Sequence, residues 1–421
     1  MKIRPQIKFM PHQHVAGPYL ADRPWALLHW DQGTGKTYGV IIGADELQTK
    51  LGGITARMLI ICPAVARRNW KREIELVQTY SRKVVVMEKG STNFKNADVV
   101  IVSYDLVASE SVFQRLNAER WGVLILDEVQ YVKNATARRT KAVFGTRSRG
   151  SFSPNGLVGK ADHVWALSGT PCPNNVGELH PWIKASAPDI ILNGHGRPLS
   201  RDNFIRKYCN VADTVFGLKI LSNKEDQVAG LWSKMSDNVF RIYKKDVLKD
   251  LPPVQFSNIA VSGDKTAAKV RKLEDEYRDD IQSLLYAIQT QGRTIGDQKP
   301  IATLKRITEM AKVGDAIEMV SQELSDNAIN KIVIFASHID PIKAICDGLS
   351  KFGVVSISGE TPPKKRQDNI DAFQDDPNIR VFVGQTIAAG TAITLHANGA
   401  CQDVLFISAD WVPANNAQAV A

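Results

Sequence analysis

Cysteine is scarce in this chain, and what there is does not pair. Cys62, Cys172, Cys209, Cys346 and Cys401 are odd in number and widely scattered, with no CxxC pair, and no HExxH occurs. That pattern excludes a disulfide scaffold and offers no zinc spacing. Reduced thiols packed as small hydrophobes are the simple reading, and no structural metal is expected. No apolar run approaches the roughly 20 residues needed to cross a bilayer. The opening "MKIRPQIKF" lacks the apolar core of a secretory signal. We therefore read the chain as cytoplasmic, with no membrane partner. Low-complexity segments are also missing.

What is present is ordinary globular material. A hydrophobic content of 44% and a charged content of 23% fit a soluble protein with a large core. The length of 421 residues suggests two or three domains. A net charge of +9 is compatible with nucleic acid as a partner, although many basic proteins have none.

Short apolar runs alternate with helical patterns. "WALLHW" (25–30), "ARMLIICP" (56–63), "KVVVME", "ADVVIVSYD", "WGVLILDE" and "DHVWALSGTP" come first. Runs rich in Val, Ile and Leu are what strands buried on both faces look like. Their alternation with helices predicts a parallel α/β sheet. From about 174 to 250 the pattern reads as helices without strands between them. "KDLPPVQ" (249–255) reads as a hinge or linker. Residues 263–328 read as helical and charged. Alternation resumes with "KIVIFAS" (331–337), "GVVSIS" (353–358), "IRVFVGQT" (379–386) and "DVLFISA" (403–409). The expected fold is α/β: two parallel-sheet domains with helical insertions.

The chemistry begins at "WDQGTGKT" (30–37). The phosphate-binding pattern GxxxxGK[ST] ends here in Gly35-Lys36-Thr37, but Trp30 holds its first Gly position. Gly33, Thr34 and Gly35 let backbone N–H groups turn toward phosphate. Lys36 would reach the β- and γ-phosphates of ATP, and Thr37 would put its hydroxyl on Mg²⁺. Taken alone, the stretch also fits a Gly-rich turn that happens to contain Lys-Thr. "VLILDEVQ" (123–130) then ends a buried strand in Asp127-Glu128. Asp127 can hold Mg²⁺, and Glu128 can deprotonate the attacking water. A pair of solvated acids would look similar by itself. Each motif ends a strand, however, and ligands gather at strand C-termini in open α/β sheets. "ALSGTP" (166–171) ends a third strand, where Ser168 and Thr170 could sense the γ-phosphate side and relay it. An ordinary strand-to-loop turn would also fit.

The order of these motifs resembles the superfamily-two helicases. "CPAVARRNWKREI", "DEVQYVKN", "VLKDLPPV" and "LSGTPCPNNVGELHPWI" are similar to the Swi/Snf-type branch of double-stranded DNA translocases, especially its compact annealing-helicase-like members. The resemblance implies two RecA-like lobes with a nucleotide cleft between them: 1–250, with a helical insertion at about 174–248, and 251–421. It implies ATP and Mg²⁺ as cofactors, and a DNA-stimulated ATPase acting as a monomer on the duplex backbone. It implies that Gln13, in "FMPHQHVAG", hydrogen-bonds adenine. Lys133 and Asn134 would lie close to nucleotide and DNA. Thr361 and Arg366, in "SISGETPPKKRQDNIDAFQ", would face the DNA backbone. Gln385, Thr386 and Gly390, in "QTIAAGTAITL", would approach DNA and nucleotide.

The sequence departs from that family in two places. Its motif V carries Ile387 and Ala392 where Arg and Gly are usual. Gln418-Ala419 match the first two residues of motif VI, and the sequence ends at Ala421, before the arginines of that motif. We therefore expect a shortened form of a longer chain, impaired in hydrolysis unless Arg366 or Arg380 substitutes. Two alternatives to a translocase stay open. A strand-separating DNA or RNA helicase needs a wedge, which the sequence does not identify. A non-motor ATP-dependent DNA-binding switch would use the same nucleotide motifs. Cutting DNA is disfavoured, because no further carboxylate cluster has metal-site spacing.

Overall fold

The structure is a computed structural model that describes residues 9–145, 155–215, 217–249, 254–260, 299–389 and 397–410, with a few single positions besides. The chain divides into two units, Met1–Leu251 and Pro252–Ala421.

Unit one is built on strands β1 (Trp25–Trp30), β2 (Met58–Cys62), β3 (Val84–Val86), β4 (Val99–Ser103), β5 (Trp121–Asp127), β6 (Ala161–Leu167) and β9 (Val239–Ile242). They form one parallel sheet in the order β3-β4-β2-β5-β6-β1-β9. Every residue of β2 and β4 is buried. Side chains alternate between two apolar layers: Leu59, Ile61, Leu124 and Leu126 enter one, and Met58, Ile60, Val123 and Ile125 the other. Helices on both faces exclude water from both layers, so the strands read as unbroken apolar runs. Three helices matter for the site: α1 (Pro11–Ala21), α2 (Lys36–Lys50) and α3 (Arg67–Val77).

The region read as strandless is not. Strands β7 (Cys209–Thr214) and β8 (Gly217–Asn223) pair as an antiparallel hairpin. About half of the hairpin is exposed and only Leu218 and Ile220 alternate inward in β8, so it lacks the continuous apolar runs that mark the central strands. β9 follows the helix Glu225–Met235 and docks parallel to β1, with Leu27 opposite Val239 and Trp30 opposite Ile242. It is four residues long, half-buried and carries an arginine, so it merges with the preceding helical pattern.

Unit two holds β10 (Lys331–Ala336), β11 (Val354–Ile357), β12 (Val381–Gln385) and β13 (Cys401–Phe406), parallel throughout in the order β11-β12-β10-β13. A helix over Lys299–Ser325 packs its Val313, Val320 and Leu324 into this unit's core. Most of the helical stretch expected from 263 lies outside the described residues up to 298. Two parallel α/β sheets are thus the architecture, as the alternation of runs implied.

Candidate nucleotide site

The strand order puts β5, β6 and β1 side by side, so their C-terminal ends share one sheet edge. β1 runs into the loop Asp31–Gly35 and then α2. Gly33 and Gly35 take φ of 76° and 77°, the left-handed region where glycine carries no Cβ penalty. A Cβ on Gly35 would also run into the Gln13 amide, so a larger residue there would be strained and would displace Gln13. The result is a concave run of backbone N–H groups opening a 15-residue helix, which suits phosphate.

Trp30 explains its own departure from the pattern. It belongs to β1, and its indole is fully buried against His12 and Phe240 at ring distances of 4.8 and 5.4 Å. The left-handed positions fall later in the loop, so the first position needs no glycine. The loop is braced from several sides. Thr34 is buried, its hydroxyl donates to the Asp31 carbonyl over 2.7 Å, and its own carbonyl meets His12 Nε2 at 2.8 Å. Lys36 Nζ donates to the carbonyls of Trp30 and Asp31 at 3.1 and 3.3 Å. Asp31 accepts from Arg241 Nη2 at 3.0 Å and from the Lys244 N–H at 2.9 Å, tying the loop to β9 and to the short helix that begins at Lys244. Gln13 spans α1 and the loop: Oε1 accepts from the Met10 N–H at 2.8 Å and Nε2 donates to the Gly35 carbonyl at 3.2 Å.

Asp127 and Glu128 leave β5 at the same edge, and both are buried. Burial pushes the Asp127 carboxyl well above the usual range, and the neighbouring Glu128 pushes the same way. Trp70 Nε1 donates to Asp127 Oδ2 at 2.8 Å, and Tyr104 Oη donates to the Asp127 carbonyl at 2.8 Å. Glu128 takes φ of 52°, a left-handed setting that costs a non-glycine residue energy. A hydroxyl on Thr37 and a carboxylate on Asp127 are hard oxygen donors, the set Mg²⁺ takes together with phosphate oxygens and waters. These residues fit that cation.

A hydrogen-bonded chain links two of the motifs. Gln130 Nε2 donates to Glu128 Oε2 at 2.6 Å. Ser168 Oγ donates to Gln130 Oε1 at 2.7 Å and accepts from the Thr170 N–H at 2.9 Å. Lys133 pairs with Glu178 at 2.9 Å, and Asn134 Oδ1 accepts from the Thr136 N–H and hydroxyl at 3.0 and 2.8 Å.

In unit two, the residues expected to meet DNA gather beyond the C-terminal ends of β10, β11 and β12. Thr361 Oγ1 accepts from the Ser358 N–H at 3.0 Å. Arg366 donates to the carbonyls of Thr361 and Ser358, both at 2.9 Å. Gln385 bridges two loops, accepting from the Gly359 N–H at 2.9 Å and donating to the Ser337 carbonyl at 3.0 Å. Thr386 is buried beside the Ala336 carbonyl. Gly390 and Gln418 lie outside the described residues. Arg380 does not qualify as a substitute arginine. It precedes β12, at the opposite end of the strand, and donates to the carbonyls of Leu324, Ile329 and Asn330.

Reading residue types at strand ends missed the holders. His12, Trp70, Glu73 and Gln130 each touch a motif residue, and only the quoted stretches "FMPHQHVAG", "RNWKRE" and "DEVQ" hinted at them.

Among known protein families, residues 22–276 match the SNF2-related domain, and residues 315–421 match the helicase conserved C-terminal domain. The chain is 27% identical over 352 residues to the SWI/SNF-related matrix-associated actin-dependent regulator of chromatin subfamily A-like protein 1 homolog of Caenorhabditis elegans, covering 81% of this chain and 46% of that protein. It is 26% identical over 372 residues to the DNA annealing helicase and endonuclease ZRANB3 of Mus musculus, covering 86% of this chain and 32% of that protein. The chain thus spans less than half the length of either relative. A solved Sulfolobus solfataricus SWI2/SNF2 ATPase core in complex with dsDNA aligns at 21% identity with a TM-score of 0.47, over 92% of this chain and 82% of that one. With well over half of its residues matched by the first of these family models, the chain belongs to the SNF2-related family.

Proposed function

We propose that this chain hydrolyses ATP on unit one and uses the cycle to move along double-stranded DNA, with 1–250 and 251–421 as the two lobes of the motor. The backbone N–H groups of Gly33 to Thr37 wrap the phosphates, and Lys36 leaves its two carbonyls to neutralise them. Thr37 and Asp127 hold Mg²⁺, which when bound neutralises charge on the transferring phosphoryl group. Glu128 takes a proton from the attacking water. Gln13 holds the adenine through its amide while braced against Gly35.

The observation that carries the reading is the chain Glu128–Gln130–Ser168–Thr170. A change at the water-activating carboxylate reaches the loop after β6 through three direct hydrogen bonds. Such a link is what coupling hydrolysis to movement requires. Lys133, Asn134, Thr361, Arg366, Gln385, Thr386 and Gly390 are the residues we assign to DNA contact. A relative named as a DNA annealing helicase supports DNA as the track.

The test is ATP turnover with duplex DNA, single-stranded DNA, RNA and no nucleic acid. Duplex DNA should stimulate most, and its affinity should fall with salt at a log–log slope of about −0.9 per phosphate neutralised. A preference for RNA, or an affinity insensitive to salt, refutes the proposal. One observation favours a second reading, strand separation. The β7–β8 hairpin exposes Val215 at 90% and Leu221 at 61%, and could act as a wedge. Displacing a triplex-forming strand without unwinding the duplex supports the translocase, whereas unwinding supports the wedge.

A further inference from the structure

Helix α3 touches Asp127 directly and packs beside α2, whose second residue is Thr37. Trp70 Nε1 donates to Asp127 Oδ2 at 2.8 Å, across 57 residues of sequence, and both side chains are buried. Glu73 lies three residues on, hence on the same helix face. Its Oε1 accepts from Asn69 Nδ2 at 2.7 Å. Its Oε2 is shielded from solvent and takes no hydrogen bond from the described residues. Burial raises the Glu73 carboxyl, while the nearby side chains of Asn69 and Thr37 pull it back. Glu73 also adds to the negative field at Asp127. A buried carboxylate oxygen without a partner costs free energy unless another state of the protein satisfies it.

Glu73 is not a direct ligand in any carboxylate cage. Among the described residues, no three His, Cys, Asp or Glu side chains are grouped closely enough to hold a metal ion. Mg²⁺ needs no such cage, since it takes one or two protein oxygens and fills the rest with phosphate and water. What such a site does need is groups that orient those few ligands.

We propose that Trp70 and Glu73 are positioning residues that set the two Mg²⁺ ligands from one face of α3. This rests on the ATPase reading above. Trp70 fixes the Asp127 carboxylate by holding Oδ2, so that the group which would hold Mg²⁺ is already oriented. With Mg²⁺ bound, Glu73 Oε2 would take the Thr37 O–H as its missing partner, and the hydroxyl oxygen would stay available to the cation. One helix face thereby aligns a ligand from the phosphate loop with a ligand from β5. The stretch "NWKRE" is then part of the metal site, although none of its residues touches the metal.

The experiment measures binding of a fluorescent ATP analogue to the full chain, first in chelator and then across a Mg²⁺ titration. Glu73→Gln is the main variant. With its oxygen kept on Asn69 Nδ2, the amide places an NH₂ where Oε2 stood, and that group cannot accept the Thr37 O–H. Trp70→Phe removes the N–H and keeps an aromatic ring. Both should bind metal-free nucleotide as the unsubstituted chain does, while the Mg²⁺ concentration for half-effect rises about 10-fold to 100-fold. A merely structural role would weaken metal-free and Mg²⁺-supported binding together. Glu73→Gln keeps size and shape, so it decides the matter even if Trp70→Phe fails to fold. An unchanged Mg²⁺ midpoint in Glu73→Gln overturns the proposal. Failure of the underlying reading looks different: the unsubstituted chain would then bind nucleotide without regard to Mg²⁺, or Lys36→Ala would bind it equally well.

Discussion

His29 gives the stability of unit one a pH dependence that can be measured directly. It is the penultimate residue of β1, and its ring stacks on Trp232 at 5.5 Å with planes 21° apart. Its pKa is pulled down to about 4, chiefly by burial and further by the Arg241 guanidinium, while a hydrogen bond to the Gly169 backbone opposes the fall. In the unfolded chain the same side chain titrates near 6.5. Between these values the unfolded state binds the proton and the folded state does not. Stability therefore falls as pH drops from about 6.5 toward 4, and His29 has no effect above that window. At about 1.4 kcal/mol per pH unit, the whole fall is worth roughly 3 kcal/mol, and roughly 2–3 kcal/mol is reached by pH 4.5. His29→Phe keeps a flat ring against Trp232 and removes the titration. Seven of the eight tryptophans lie in unit one, so tryptophan fluorescence follows its unfolding in urea. From pH 7.5 to 4.5 the unsubstituted chain should lose about 2–3 kcal/mol more than His29→Phe. The hydrogen bond to Gly169 is absent from the variant at both pH values, so its cost cancels. Equal losses in the two proteins would show that His29 is not held neutral by the fold.

Lys36→Ala should abolish detectable turnover, because the phosphates lose their main side-chain counter-ion; normal turnover would remove Lys36 from the site. Glu128→Gln should bind ATP and fail to hydrolyse it, since an amide cannot take the water's proton, and single-turnover hydrolysis checks this. Glu309→Ala should destabilise unit two by about 3–5 kcal/mol, because the fully buried carboxylate accepts from the Ser337 and His338 N–H groups, the His338 ring and the Ser408 hydroxyl. Burial alone would raise the Glu309 carboxyl, but those donors hold it below its usual value. Its contribution is therefore present above the ordinary glutamate range and lost as pH falls through the lowered value, so the variant should show a shallower acid limb in unit-two melting.

The sequence made legible whatever depends on residue type alone. β2 reads as Met-Leu-Ile-Ile-Cys because helices cover both of its faces, so every position had to be apolar. The phosphate loop reads through Gly33 and Gly35 because a left-handed backbone selects glycine. The resemblance to Swi/Snf-type proteins, drawn from the order of such stretches, agrees with the family match. What stayed hidden depends on distance. β9 is an edge strand whose partner is more than 200 residues earlier, and its half-buried Val-Phe-Arg-Ile carries no period of its own. Arg380 looked like a spare arginine near a motif. Its position before β12 rather than after it turns it into a tie for the chain entering that strand. Trp70 and Gln130 look like a core aromatic and a surface amide until the fold sets them against Asp127 and between Glu128 and Ser168. Groups that do chemistry must be acids, bases or cations at strand ends, and those announce themselves. A group that only holds another in place needs one donor or acceptor at the right distance, which many residue types can supply. Sequence motifs therefore mark the reacting groups of this site, while the accuracy with which they are aimed is decided by contacts between segments far apart in the chain.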